Sequence, residues 1–193
     1  MFFNPAPILQ KRSVQDLLQS RKNGSVLEIG AGCLRNSLFL LNEGFRTTAV
    51  DLPGMENRFP KQYQRFRQRG GTVLFDKLPL RGDFDFGICT FVIETICDPV
   101  KRIRLVRNLV RKLAPHGILI LSTRGPVDVV TAHAKGVKCS DGFLTPQRTF
   151  VRSYDRVQLA RLLRSAGFAR IEFLHKPGIK APELLHVIAY KQK

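Results

Sequence analysis

Short apolar runs alternate with amphipathic helical patterns along almost the whole chain. The apolar runs have the length and β-branched content of buried strands, and the segments between them repeat their apolar residues every three or four positions. This alternation is typical of a parallel sheet covered by helices on both faces. It predicts strands at 25–29, 47–50, 72–75, 84–91, 118–122, 170–174 and 186–190, and helices at 8–21, 35–43, 60–69, 99–113 and 156–166.

The last two predicted strands follow one another with only a Pro- and Gly-containing loop between them. Strands joined without a helix can pair as a hairpin, so we expect a seven-stranded, mostly parallel sheet with one antiparallel strand. The length of 193 residues favours one α/β domain over 1–193. Within it, 1–23 is predicted to be an N-terminal helical segment and 124–153 an irregular insertion on the substrate side.

Two signals fix helix ends. Asp155 followed by Gln158 predicts a capping box before the helix at 156–166, and Gly167 is expected to end that helix. The segment Ala114 to Gly117 is expected to form the turn that closes the helix at 99–113.

Charge is the most unusual property of the composition. The chain has 32 Lys and Arg against 15 Asp and Glu, which gives a formal net charge of +17. Such a surface attracts polyanions, and the attraction weakens with salt. On the helix at 60–69, the basic face of Lys61, Arg65 and Arg69 is predicted to meet water while Tyr63 and Phe66 pack on the sheet.

The cysteines and the hydropathy pattern indicate the cellular compartment in which the protein is expected. Cys33, Cys89, Cys97 and Cys139 include no CxxC pair, so neither a metal site nor a disulfide framework is predicted, and a reducing compartment fits best. The N-terminus lacks the pattern of a signal peptide, and no run of roughly 18 apolar residues is present. We therefore expect a soluble, cytoplasmic protein that does not contact a membrane.

A glycine-rich turn follows the first predicted strand, at Glu28-Ile29-Gly30-Ala31-Gly32-Cys33. Two glycines let the backbone turn sharply and approach a ligand closely. The dinucleotide fingerprint needs a third glycine where Arg35 stands, and the Gly-Lys-Ser/Thr of phosphate loops is absent. Glu28 would repel a diphosphate but tolerate a cationic ligand.

A second acidic residue, Asp51, ends the second predicted strand. A carboxylate in this position can bind both hydroxyls of a ribose. The glycine turn, the ribose acid and the missing phosphate features together describe an adenosine ligand without phosphate, and S-adenosylmethionine is such a ligand.

These motifs resemble the class I S-adenosylmethionine-dependent methyltransferases, and the resemblance covers nearly the whole chain. Residues 26–32 and 49–51 are similar to the first two motifs of that family, 75–80 to its adenine-binding segment, and 113–120 to the helix-turn-strand segment that leads into its fifth strand. The resemblance implies a Rossmann-like three-layer fold. Cys33 departs from the family, because many members have another glycine there.

The family also implies roles for individual residues. Gly30 and Gly32 would admit the methionine part of the cofactor, Asp51 the ribose and Asp76 the adenine amino group, while Glu28 would lie near the methionine ammonium or order its waters. The flanking residues expected to contact the cofactor are Ala31, Leu52, Lys77 and Phe91. No metal is implied.

The acceptor is expected beyond the fourth strand, at 91–96, and in the segment 124–153. Glu94 interrupts an apolar run there and is a candidate general base or acceptor anchor; the alternative is a surface carboxylate that caps the next helix. His133 and Tyr154 are further catalytic candidates, and Arg148 and Arg152 could line a lid with them. The motif Thr90–Glu94 lacks the Asp/Asn-Pro-Pro-aromatic pattern of enzymes that methylate exocyclic amines of DNA bases.

Three functions remain open from the sequence. The first is methyl transfer to a small or medium-sized acceptor. The second keeps that chemistry with RNA or another nucleic acid as acceptor, which the positive charge supports. The third is a basic nucleic-acid-binding module that keeps the fold without turnover.

Overall fold

The computed structural model describes residues 4–80, 82–127, 129, 135–174 and 183–192. Its helices, apart from short 3-10 turns at Pro7–Gln10 and Ile93–Thr95, are α1 Arg12–Gln19, α2 Arg35–Asn42, α3 Met55–Arg58, α4 Pro60–Gln68, α5 Pro99–Lys112 and α6 Arg156–Ala166. Its strands are β1 Ser25–Ile29, β2 Arg46–Asp51, β3 Thr72–Phe75, β4 Phe84–Thr90, β5 Leu113–Arg124, β6 Val137–Cys139, β7 Gly142–Leu144, β8 Phe150–Val151, β9 Phe168–Phe173 and β10 Leu184–Lys191.

Seven strands form the main sheet in the order β3-β2-β1-β4-β5-β10-β9. The β1–β2 and β2–β3 pairs are parallel, whereas β9 and β10 pair antiparallel. The predicted α/β class and the seven-stranded, mostly parallel sheet with one antiparallel strand are therefore confirmed. None of the helices among the described residues combines the length and apolarity that a membrane crossing requires.

The N-terminal helix is interrupted, in contrast to the continuous helix predicted for 8–21. Lys11 has an extended backbone with ψ of 132°, which separates the 3-10 turn at Pro7–Gln10 from α1. The apolar spacing is kept on both sides of the break, because Ile8, Leu9, Val14 and Leu18 are all buried. The pattern therefore predicted the buried face correctly but not the local break.

The fifth strand is longer than predicted. β5 begins at Leu113, directly after α5, and includes the segment 114–117 that we expected to be a turn outside the strand. His116 has a φ of 61°, so the chain does bend there. The buried part of the strand begins at Gly117, which explains why the apolar pattern indicated only 118–122.

The insertion at 124–153 is not irregular throughout its described residues. β6, β7 and β8 form a small three-stranded antiparallel sheet, with Val137 opposite Leu144 and Leu144 opposite Phe150. Ser140 has a φ of 53° in the short turn between β6 and β7. Strands of two or three residues are too short to show a period, so the apolar pattern did not indicate them.

Residue contacts divide the chain into two units, one of 1–88 with 112–118 and one of 89–111 with 119–193. In the first unit, side chains from the β1–α2 turn and from α2, α4 and β2 form one apolar cluster, which contains Ala31, Leu34, Leu38, Ala49, Tyr63 and Phe66. In the second unit, Val106 and Leu109 of α5 and Leu159 and Leu163 of α6 are buried. The assignment of one domain to 1–193 stays a prediction.

Candidate cofactor and active site

The turn after β1 is held open by its backbone conformation. Gly30 and Gly32 have φ values of 69° and 55°, which glycine adopts without a steric penalty. The Gly30 amide donates to the Val50 carbonyl at 2.8 Å, which fixes the turn to the end of β2. A Cβ atom at Gly32 would meet no atom within 4 Å, so the turn faces free space. The geometry leaves room for a ligand beside Gly32.

Asp51 is bonded directly to this turn. Its Oδ2 accepts from the Gly32 amide, and its Oδ1 accepts from the Leu52 amide at 2.8 Å. An ionised carboxylate has about four acceptor positions, so these bonds orient it and leave capacity for further donors. Leu52 follows with 66% of its surface exposed. The carboxylate is thus fixed at the carboxyl end of β2, where the sequence predicted a ribose acid.

The third acidic position lies on the neighbouring strand. The Asp76 amide donates to the Asp51 carbonyl at 2.9 Å, and Asp76 has a φ of 57° directly after β3. Asp76 and Lys77 are both exposed. The described structure therefore brings Gly30, Gly32, Asp51 and Asp76 together at one edge of the sheet in the first unit.

Glu28 is placed differently from the other acids. Its side chain is 1% exposed, and its carboxylate accepts from Asn36 Nδ2 at 2.8 Å and from the Ser37 hydroxyl. Burial outweighs these two bonds and raises the pKa of Glu28 to about 7. Asn36 in turn accepts from the Ala6 amide at 2.7 Å. Glu28 thus ties β1 to the first turn of α2, and its proximity to the methionine ammonium stays a prediction.

Three residues that support the turn were missed by the sequence reading. Asn36 and Ser37 hold Glu28, and Tyr63 of α4 donates from its hydroxyl to the Gly32 carbonyl at 3.1 Å. Tyr63 is fully buried and stacks on Phe75, with ring centroids 5.9 Å apart. Asn36 and Ser37 are polar residues on the buried face of α2, and polar residues at buried positions were the signal that could have identified them. Tyr63 was recognised only as a packing residue.

In the second unit, Glu94 is buried completely. Its Oε2 accepts from the Thr123 hydroxyl at 3.1 Å, and its Oε1 has no partner among the described residues. Burial raises the pKa of Glu94 to about 7 despite that bond and the nearby Arg124. The surface-cap alternative is wrong, because Asp98 accepts from the Val100 amide at the start of α5 and Glu94 is enclosed.

Tyr154 and Arg152 lie close to the Glu94 segment. The Arg152 amide donates to the Glu94 carbonyl at 3.0 Å, and the Arg152 guanidinium lies 4.4 Å from the Tyr154 ring centroid. Tyr154 is buried, and its hydroxyl accepts from Arg102 at 3.3 Å. Arg102 was not selected from the sequence, although it is only 2% exposed and pairs with Asp141 at 2.5 Å. A basic residue on a helix rich in exposed basic residues gives no signal of burial.

The remaining candidates have separate surroundings. Phe91 has a φ of 60°, and its amide donates to the Ser122 carbonyl at 2.9 Å. Arg148 is exposed in the turn before β8. His133 lies outside the described residues. The second unit therefore brings Glu94, Arg152 and Tyr154 together. Among the described residues, Arg148 forms no hydrogen bond or ion pair with these three.

Comparison with known proteins identifies the family. A model described as a methyltransferase domain matches residues 8–172. A search of curated proteins found no match. Among solved structures, the chain is similar to a SAM-dependent methyltransferase from Methanosarcina mazei, with 19% identity, a TM-score of 0.73, and coverage of 94% of this chain and 98% of that one.

Two further structures show the same fold. A 1,6-didemethyltoxoflavin-N1-methyltransferase from Burkholderia thailandensis, with S-adenosylhomocysteine bound, has 21% identity and a TM-score of 0.68, covering 98% of this chain and 80% of that one. The [4+2]-cyclase SpnF has 16% identity and a TM-score of 0.63, covering 93% and 81%. Because the family model spans most of the sequence, this chain belongs to the methyltransferase-domain family.

Proposed function

We propose that this protein is an S-adenosylmethionine-dependent methyltransferase that acts on a small or medium-sized acceptor. One observation carries the proposal: the open turn at Gly32 is bonded to the carboxylate of Asp51 at the carboxyl end of β2. The family match and the S-adenosylhomocysteine bound to the B. thailandensis neighbour support the same cofactor.

The residues of the first unit fit this cofactor. Asp51 has acceptor capacity for the two ribose hydroxyls, and exposed Asp76 can accept from the adenine amino group. The exposed side chain of Leu52 offers apolar surface to the base. The free space beside Gly32 can take the methionine part of the cofactor. Contacts of Gly30, Ala31 and exposed Lys77 with the cofactor stay predictions. When bound, the cofactor would supply an activated methyl group on a sulfonium that carries its own leaving group.

Glu94 is our candidate for the group that receives the acceptor proton or anchors the acceptor. A pKa of about 7 places the carboxyl near the point where it can take up a proton at neutral pH. The unpartnered Oε1 provides the acceptor atom for that proton. Tyr154 and Arg152 would form a wall beside it, and the roles of Phe91 and Arg148 stay predictions. His133 lies outside the described residues, and its role is a prediction from the sequence alone.

Titration calorimetry tests the cofactor assignment. We expect S-adenosylmethionine and S-adenosylhomocysteine to bind and NAD and ATP not to bind, because the turn lacks phosphate-binding features. Asp51→Ala should weaken binding about tenfold or more, the effect of losing a charge-assisted hydrogen-bond acceptor. Asp16→Ala is the matched control, since Asp16 is exposed on α1 and its carboxylate lies 3.9 Å from Arg12. Failure of the folded protein to bind either sulfur compound would end the proposal.

RNA as the acceptor is the second candidate, and the surface of α5 favours it. Four basic residues of α5 are exposed and form no ion pair with other described residues. We call these four residues the α5 basic face: Lys101, Arg104, Arg107 and Arg111. Incubation with cofactor labelled on its methyl group and fractionated cell extract separates the two candidates. Label in the small-molecule fraction supports the first, label in RNA supports the second, and RNA binding without label supports a binding module.

A further inference from the structure

Two thiols lie in contact in the second unit, although they are distant in sequence. Cys97 Sγ and Cys139 Sγ are 3.5 Å apart, and both side chains are partly exposed. Cys97 follows the 3-10 turn that contains Glu94, and Cys139 ends β6. No spacing motif in the sequence indicates this pair.

The contact lies in a region that several other bonds hold together. Arg102 donates to the Cys97 carbonyl at 3.4 Å and to Asp141 at 2.5 Å, and Arg152 pairs with the same Asp141. Asp141 belongs to the short turn between β6 and β7, two residues after Cys139. The turn is therefore anchored from two sides, which keeps the two sulfur atoms close without a covalent bond.

We propose that Cys97 and Cys139 are a site of reversible oxidation that forms an intrachain disulfide. This inference goes beyond the proposed methyl transfer and does not depend on it. A disulfide needs the sulfur atoms to approach to about 2.05 Å, which small rotations of two partly exposed side chains can supply from the observed contact. The other two cysteines do not offer such a pair among the described residues. Cys89 is buried, and Cys33 does not contact another thiol.

The step balances with a low-molecular-weight disulfide such as oxidised glutathione as oxidant. The thiolate of one cysteine attacks a glutathione sulfur, forms a mixed disulfide and releases one glutathione thiolate. The thiolate of the second cysteine then attacks the protein-bound sulfur and releases the second. The protein loses two electrons and two protons, which two glutathione molecules gain as thiols.

The thiol contact also sets the pH dependence of the reaction. The hydrogen bond from its neighbour raises the pKa of the Cys97 thiol above its ordinary value, and the nearby Arg102 opposes this effect. Asp98 also raises the pKa of Cys97. Further charged groups nearby are Asp141, which pairs with Arg102, and Arg152, which pairs with the same Asp141. Since the thiolate is the attacking species, the reaction should be faster at mildly alkaline than at neutral pH.

The test uses the full chain and oxidised glutathione, with the products identified by mass spectrometry of non-reduced peptides. We expect a loss of two hydrogen atoms, a peptide that links Cys97 to Cys139, and recovery of both thiols with dithiothreitol. Cys97→Ser and Cys139→Ser should each retain glutathione as a stable mixed disulfide, because the second attack is impossible. Cys33→Ser is the matched control and should form the link at the rate of the unchanged protein.

Thermal unfolding gives a second, independent measurement. The disulfide would join two cysteines that are 42 residues apart in sequence. Because such a link restricts the unfolded chain, the unfolding midpoint of the oxidised protein should rise by about 5 °C or more. Only mixed disulfides in the unchanged protein, or links between separate molecules, would overturn the inference. Neither measurement involves methyl transfer, so failure here is distinguishable from failure of the proposed function.

Discussion

Glu28 and Glu94 are both buried carboxyl groups whose pKa is raised to about 7, but their partners differ. Both oxygens of Glu28 accept hydrogen bonds, whereas Glu94 has one oxygen without a partner among the described residues. A buried acid whose two oxygens are both bonded to the protein acts as a structural tie. One with an unbonded oxygen can still take a proton or a donor from a substrate.

The first prediction concerns Glu28 and stability. Between its ordinary pKa of 4.5 and its folded value of about 7, the unfolded chain releases the proton that the folded protein keeps. The free energy of unfolding therefore falls as pH rises through this range, by at most about 3 kcal/mol on account of Glu28. Glu28→Gln should remove that decline and be more stable than the unchanged protein at pH 8, since Gln can still bond to Asn36 and Ser37.

Denaturant unfolding from pH 4.5 to 8 measures this difference. Exposed Glu183 supplies the control, because Glu183→Gln makes the same chemical replacement at a residue on the surface. Parallel stability curves for Glu28→Gln and the unchanged protein would show that Glu28 ionises at its ordinary pKa in the fold.

The second prediction concerns Glu94 and turnover. If Glu94 accepts the proton of the substrate, the rate at saturating cofactor should rise with pH up to about 7 and stay constant above it. Glu94→Gln should lower kcat about 100-fold or more, as expected for loss of a general base, with little change in cofactor affinity. Steady-state kinetics and calorimetry on the same variant separate these two effects.

A Thr123 variant distinguishes a general base at Glu94 from a carboxyl group with a structural role only, because it should shift the pH profile of the reaction. Its hydroxyl donates to Glu94 at 3.1 Å and favours the charged carboxylate. Thr123→Val should therefore move the midpoint of the pH profile to higher pH while the plateau rate is kept. A profile that stays in place in Thr123→Val, or normal kcat in Glu94→Gln, would remove Glu94 as the base.

At the scale of elements, α4 shows how a packing helix supports the candidate cofactor turn. The sequence predicted correctly that Tyr63 and Phe66 pack, since both are fully buried. Of the predicted basic face, Lys61 and Arg69 are exposed, whereas Arg65 is half-buried. Packing alone does not require a hydroxyl. The bond from Tyr63 to the Gly32 carbonyl therefore gives α4 a second task, to hold the turn in its open form.

The third prediction follows from that bond. Tyr63→Phe should keep the fold, because the ring contacts with Phe75 remain, and should weaken S-adenosylmethionine binding about fivefold, the loss of one hydrogen bond of about 1 kcal/mol. Tyr190→Phe removes a comparable hydroxyl bond, to Glu172 at 3.2 Å, and is the matched control. Calorimetry compares the S-adenosylmethionine affinity of the two variants. Equal affinities would mean that Tyr63 contributes through packing and not through its hydroxyl.

The elements also show which signals a single sequence carries. The bounds of β1, β3 and α6 were predicted to the residue, and the capping box of Asp155 with Gln158 is present, because strand length, helix period and caps are local. Glu28 with Asn36 and Ser37, or Arg102 with Asp141, join positions that are distant in sequence. Their partners follow from tertiary packing, so the sequence indicated Glu28 but not what holds it.

For the molecule as a whole, the net charge of +17 is the property that the fold does not explain. Burial of one basic residue, Arg102, shows that part of the charge serves internal ion pairs. The α5 basic face instead lies on the exposed side of a helix whose other side contributes Val106 and Leu109 to the core. Exposed charges of one sign on one helix face attract polyanions, so the RNA contact that we propose as the second candidate would lie on this face.

The fourth prediction tests that interpretation by salt dependence. If RNA binds the α5 basic face, the logarithm of the affinity for single-stranded RNA should fall linearly with the logarithm of salt concentration, by about 0.7 per phosphate neutralised. Replacing the four residues of the α5 basic face by Gln should weaken binding at low salt and make the slope less steep by about 3.

The control replaces four other exposed basic residues by Gln and so has the same net charge: Arg12, Lys22, Arg46 and Lys61. Filter binding at several salt concentrations should show a large loss for the α5 variant and a small one for the control. An equal loss in both variants would assign the attraction to total charge alone, and no binding at low salt would leave the small acceptor as the substrate to pursue.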